Sequence, residues 1–141
     1  MIVRHLEAEI KNKLFQGKAI ILIGPRQTGK TTLLKTIFQE QKEMVWLNGD
    51  DLETRQLLEK VSVTKWKRVL GKSKILIIDE AQRIDNIGIK LKLVTDQIPE
   101  VQVVASSSSA FELANKINEP LTGRKWEYHL YPVSYDEMQQ H

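Results

Sequence analysis

Residues 24–32 read Gly24-Pro25-Arg26-Gln27-Thr28-Gly29-Lys30-Thr31-Thr32, a complete G-x-x-x-x-G-K-[ST] loop. An apolar run, Ala19-Ile20-Ile21-Leu22-Ile23, precedes it and reads as a buried strand. After it, Leu33, Leu34, Ile37 and Phe38 recur with helical spacing. A strand, a glycine-containing turn and a helix in that order let successive backbone N–H groups wrap a polyphosphate at the positive end of a helix dipole. Few other local patterns tie sequence to tertiary geometry so tightly, because the strand must be buried and the helix must pack back on its sheet.

Each residue type follows from that task. Gly24 and Gly29 allow backbone conformations and a phosphate approach that a Cβ would obstruct. The Lys30 ammonium can sit against the β- and γ-phosphates, and the Thr31 hydroxyl can ligate Mg²⁺. The other reading is a plain glycine-containing turn, which the flanking strand and helix disfavour.

The remainder of the chain continues the alternation. An amphipathic helix is expected over 3–16, with Leu6, Ile10 and Leu14 four apart, ending before Gly17. Strand one covers 19–23, and the helix after the loop runs to about 42. Met44-Val45-Trp46-Leu47 reads as a second strand, followed by the polar corner Asn48-Gly49-Asp50-Asp51, where Asp50 or Asp51 serves as a helix N-cap. Two helical patterns fill 52–70, separated near Ser62. Strand three is Lys74–Ile78, apolar on both faces as a central parallel strand should be. A helix at 88–97, strand four at 101–105, a serine-rich corner, a helix at 110–116, strand five at 125–131 and a last helix from 133 to 140 complete the pattern. This is an α/β chain: a three-layer fold with about five strands in a mainly parallel sheet and helices on both faces. Ligands of such sheets bind beyond the carboxyl ends of the strands. That rule brings the loop after strand one, Asp79-Glu80 after strand three and Ser106–Ser109 after strand four to one place.

Ile75-Leu76-Ile77-Ile78-Asp79-Glu80 matches a Walker B element, an apolar strand ending in two acids. Asp79 would hold Mg²⁺ directly or through water. Glu80 could orient and deprotonate an attacking water, and a second carboxylate beside the metal ligand favours hydrolysis over transfer to another acceptor. A hydroxyl of the serine run, Ser106 or Ser108 above all, is placed to reach a γ-phosphate or that water; a serine run is equally an ordinary turn.

Bulk properties narrow the classes further. At 141 residues the chain is expected to form one domain, 1–141, burying roughly two-thirds of its unfolded surface without a staple. It has no cysteine, which excludes disulfides and thiolate metal sites. The first residues are charged throughout and lack an apolar core of about 7–15 residues, so no leader is expected. No apolar run approaches the roughly 20 residues of a membrane span, and the expected location is the cytoplasm. Net charge is only +3, but Lys60, Lys65, Lys67, Arg68, Lys72 and Lys74 fall within 60–78, which holds no acid. Such a stretch is either a solvated helix face or a contact for a nucleic acid backbone or acidic partner. The histidines His5, His129 and His141 are too scattered for a metal site.

Taken together, the Gly24–Thr32 loop, Asp79-Glu80-Ala81-Gln82-Arg83, Leu121-Thr122-Gly123-Arg124 and Tyr131-Pro132-Val133-Ser134-Tyr135-Asp136-Glu137 form a set. The set resembles the prokaryotic AAA-type P-loop ATPase family, in which the AAA domain is usually followed by a C-terminal domain of nuclease-like fold. The resemblance runs from about residue 2 to the end of the chain. It implies a P-loop NTPase fold with the expected strand order 5-1-4-3-2, ATP as the nucleotide with Mg²⁺, the core at 19–135, Gly24–Thr31 and Thr32 as the nucleotide-binding segment, Asp79 and Glu80 as Walker B, and a sensor-like serine corner. No Asn-Lys-x-Asp guanine-reading segment is present. The family pattern has glycine where this chain has Ser107. Arg124 is similar to an arginine that related ATPases place near the γ-phosphate, in cis or from a neighbouring subunit, where it speeds transfer by about three to five powers of ten. Its other reading is a salt-bridging arginine at a strand start. Against the family, the sequence stops just after the AAA core, before the C-terminal domain that members usually carry. It is therefore expected to be either a fragment or a short stand-alone member, with weak nucleotide binding and slow turnover as an isolated domain. A nucleotide-ordered DNA- or partner-binding module and a small-molecule P-loop kinase are the competing readings. The kinase would want an arginine-bearing lid, which the sequence does not offer.

Overall fold

The computed structural model describes residues 2–25, 29–41 and 43–130. In chain order these form α1 (Ile2–Lys13), β1 (Ala19–Ile23), α2 (Lys30–Ile37), β2 (Met44–Asn48), α3 (Leu52–Leu57), α4 (Val63–Leu70), β3 (Ile75–Asp79), a 3₁₀ turn (Ala81–Arg83), α5 (Ile87–Gln97), β4 (Gln102–Ser107), α6 (Ala110–Ile117) and β5 (Lys125–His129). The five strands make one sheet ordered β2-β3-β4-β1-β5. That is the expected order read from the opposite edge, and every pairing is parallel.

Alternation along the strands divides the core in two. Ala19, Ile21 and Ile23 of β1 and Leu76 and Ile78 of β3 face Trp66 and Leu70 of α4, Ile87, Leu91 and Val94 of α5, and Leu113 and Ile117 of α6. The intervening residues Ile20, Leu22, Ile75 and Ile77 face Leu6 and Ile10 of α1 and Leu33, Leu34 and Ile37 of α2. A parallel sheet needs crossover helices, and these cover both faces, which is why β1 and the Ile75–Ile78 run of β3 are apolar at every position. Among the described residues no helix is long and apolar enough to cross a membrane.

Several boundaries depart from the sequence expectation, most by one residue, and three of them bear on the packing or the site. Helix α1 stops at Lys13 rather than at 16, because Phe15 (φ 59) and Gly17 (φ 80) turn the chain into β1. The Phe15 N–H donates to Gln102 Oε1 at 2.6 Å, fixing that turn. Helix α2 ends at Ile37 rather than near 42: Phe38 leaves helical geometry (φ −106, ψ 18) and is almost wholly buried. Strand β4 runs two residues further than expected, pairing Ser106 with Leu22 and Ser107 with Ile23. The first two serines are therefore ladder residues, not corner residues. The end of the expected fifth strand at 131, the core to 135 and the helix at 133–140 lie outside the described residues, as do Arg26, Gln27 and Thr28 of the loop.

Candidate functional site

The carboxyl ends of β1, β3, β4 and β2 meet where the parallel topology brings them. Gly24 leaves β1 buried, its N–H donating to Ser107 O at 3.1 Å. Gly29 caps α2 in the left-handed region (φ 89, ψ 16), a conformation that only glycine adopts without strain. Lys30 follows as the first helical residue and is buried, its Nζ donating to Gly24 O and, at 3.0 Å, to Pro25 O. Thr31 and Thr32 lie on the same turn, with Thr32 exposed.

From β3, Asp79 meets this turn: Thr31 Oγ1 donates to Asp79 Oδ2 at 3.3 Å. The other Asp79 oxygen accepts Ser106 Oγ at 2.5 Å and the Glu80 N–H at 3.0 Å. Glu80 is buried and held in the left-handed region (φ 51, ψ 48), an uncommon state for a residue with a Cβ. Its Oε2 accepts Ser108 Oγ at 2.8 Å and Gln82 Nε2 at 2.7 Å. Of the two favoured serines, Ser106 therefore serves Asp79 and Ser108 serves Glu80.

Gly29, Lys30, Thr31, Thr32, Asp79 and Glu80, with Asn48 and Asp50, line one open cavity of about 600 Å³. That volume lies in the range of small-molecule sites. The donor set suits a hard cation: Mg²⁺ is commonly held by one or two protein oxygens plus waters, and the Thr31 hydroxyl and Asp79 carboxylate converge on the cavity wall from different elements.

Asn48 and Asp50 do not follow from the sequence as site residues. Asp51 occupies the N-cap of α3 without a side-chain cap bond. Asp50 instead turns to the cavity and pairs with Arg83, Oδ1 to Nε 3.4 Å. The signal was available, since the polar corner follows a parallel strand and such corners lie at the ligand end of the sheet. Gln82 likewise stands in the sequence only as one member of the motif after Glu80.

Arg124 is not brought to the site within one chain. It precedes β5, where Lys125 pairs with Ala19 at the amino end of β1, whereas His129 pairs with Ile23 beside the loop. Five residues of strand at about 3.3 Å each separate it from the loop end of the sheet by roughly 17 Å. Its guanidinium bonds Asp96 at the end of α5, as in the salt-bridge reading.

A family model described as AAA domain matches residues 16–139. An uncharacterized protein of Mycobacterium bovis is 26% identical over 122 residues, covering 86% of this chain. The chain spans only about a quarter of that relative, 26% of its length. Among solved structures, the Walker-type ATPase of Pyrococcus abyssi superposes with a TM-score of 0.67 at 20% identity, covering 96% of this chain and 53% of that one. A DNA replication initiation factor gives 0.64 at 18% identity, covering 99% and 48%. At these identities the likeness is one of fold.

Proposed function

The chain belongs to the AAA domain family, and on that premise we propose that it binds ATP with Mg²⁺ and hydrolyses it. The observation that carries this reading is the convergence of Thr31 and the Asp79-Glu80 pair on one cavity, with Thr31 Oγ1 3.3 Å from Asp79 Oδ2. The loop from Gly24 to Thr32, including Arg26, Gln27 and Thr28, supplies backbone N–H groups to the phosphates. Lys30 exchanges its bonds to the Gly24 and Pro25 carbonyls for phosphate oxygens. Thr31 and Asp79 would hold Mg²⁺, which when bound neutralises charge on the β- and γ-phosphoryl oxygens. Glu80 orients a water and takes its proton as the water oxygen bonds the γ-phosphorus and the bond to the diphosphate leaving oxygen breaks. Ser106 keeps Asp79 in place and Ser108 does so for Glu80. A role for Arg124 at the γ-phosphate requires a second copy of the chain.

This domain would act on a further domain or partner through a nucleotide-dependent change of shape. A second reading, a nucleic-acid-binding module ordered by nucleotide, is favoured by one observation. Lys67, Arg68, Lys72 and Lys74 are exposed and make no ion pair among the described residues.

The test is a pair of variants measured by fluorescent-nucleotide binding and phosphate release. Lys30→Ala is expected to lose binding, and Glu80→Gln to keep binding and lose turnover. Parental turnover in Glu80→Gln would remove the base assignment, and consumption of ATP only with an added acceptor would make the chain a kinase instead.

A further inference from the structure

We infer that Gln82 is a positioning residue for hydrolysis, holding the Glu80 carboxylate in the orientation from which it takes a proton. The inference rests on the reading of Glu80 as the base. Gln82 is buried and lines no part of the cavity, so it does not meet nucleotide itself. Its amide lies between the two elements that flank Glu80. On one side Nε2 donates to Glu80 Oε2 at 2.7 Å and approaches Ser108 Oγ at 3.2 Å. On the other, Oε1 accepts Ser107 Oγ at 2.7 Å.

The sense of these bonds is forced. A carboxylate only accepts, so the amide nitrogen must face Glu80, and the amide oxygen then requires a donor on its far side. Ser107 supplies it. That hydroxyl is held in turn, accepting the Ser109 N–H at 3.0 Å. The backbone beneath is anchored separately, since Lys116 Nζ of α6 donates to Gln82 O at 2.6 Å and to Ile84 O at 3.3 Å. Glu80 has three side-chain torsions, and two donors on one carboxylate oxygen remove most of that freedom. The Ser107–Gln82–Glu80 chain thus ties the carboxylate to β4, the strand that also carries the Ser106 contact to Asp79. Both acids of the pair are oriented from the same serine run.

The experiment compares the full chain with Gln82→Met, which keeps the side-chain length and removes the three amide hydrogen bonds, and with Ser107→Ala, which removes the donor that orients the amide together with the hydroxyl's contacts to Ser109. Displacement of a reacting group by about 1 Å can cost a hundredfold, so Gln82→Met is expected to lower kcat by about 10- to 100-fold. The nucleotide Kd and the thermal midpoint should not move. Ser107→Ala should shift kcat in the same direction by less. Glu80→Gln is run alongside as the reference. An inactive Glu80→Gln with parental kcat in both other variants overturns the role of Gln82 and leaves that of Glu80 standing. Parental turnover in Glu80→Gln, or none in the parent chain, overturns both. A Gln82→Met variant with weaker nucleotide binding and a lowered midpoint would make Gln82 a purely structural residue and overturn the inference.

Discussion

Gly49 and Gly29 are both glycines at the site, but for different reasons. Gly29 has nothing among the described residues within 4 Å of where a Cβ would lie, and is required by its φ of 89. Gly49 is required by contact: a Cβ there would lie 2.2 Å from Glu80 O and 3.1 Å from the Glu80 carbonyl carbon. Its N–H also donates to Asp79 O at 2.7 Å, so the corner after β2 is seated on the backbone of the acid pair. Gly49→Ala should force Glu80 out of place. We expect a loss of about 1–3 kcal/mol, the usual cost of overpacking, with a fall in turnover at least as large as that of Gln82→Met. Chemical denaturation and phosphate release check this, and a parental midpoint would mean that the corner yields without cost. Of the residues that line or support the cavity, Lys30, Thr31, Asp79 and Glu80 were expected from short patterns whose spacing carries the chemistry, and Ser106 and Ser108 only from their place after strand four. Gly49, Asn48, Asp50 and Gln82 were not. Asn48 and Asp50 could have been placed from their corner after a parallel strand, but the part of Gly49 and Gln82 depends on which atoms of another segment they touch, and no local spacing encodes that.

Among the elements, α4 is read most fully from its own residues. Ser62 caps it by accepting the Lys65 N–H at 3.1 Å, Trp66 and Leu70 turn inward, and the Trp66 indole donates to Lys90 O at 3.0 Å. Lys67 and Arg68 are left outward, and Lys72 and Lys74 continue the exposed basic surface into the turn before β3. If this face holds a nucleic acid backbone, oligonucleotide affinity falls steeply with salt. Replacing Lys67 and Arg68 together by Glu should then flatten the logarithmic salt slope by about one unit for each phosphate that is no longer neutralised. Fluorescence polarisation on single- and double-stranded DNA decides it, and no binding at low ionic strength ends the nucleic-acid reading. The element ends were harder to read than the elements themselves. Phe38 continues the helical pattern of α2 in sequence, yet the chain has already turned there, because burying that ring against the sheet outweighs another helical turn. The serines of β4 look like a turn by composition, but pairing with β1 satisfies their backbone groups and leaves their hydroxyls for Asp79 and Gln82.

At the scale of the molecule, parallel pairing gives the sheet two unlike ends. The carboxyl ends of the strands lie on the cavity side, and Arg124 stands at the other end with Asp96. Arg124→Ala is therefore expected to leave turnover of the dilute chain unchanged. A loss of activity that appears only as protein concentration rises would place Arg124 in a neighbouring copy's site; a loss at every dilution would contradict the geometry. The sequence by itself determined the strand–loop–helix around Lys30, the apolar strand ending in Asp79-Glu80 and the α/β alternation, whereas the expected strand order came with the resemblance to a known fold. The first three are carried by residues within about ten positions of one another, where periodicity and spacing act directly. Only the tertiary structure decided which serine serves which acid, that Gln82 bonds the Glu80 side chain while Gly49 lies close against the Glu80 backbone, and that Arg124 lies away from the site. Those outcomes follow from strand register and from the one sense in which a carboxylate, an amide and a hydroxyl can hydrogen-bond, and both exist only once distant segments are side by side.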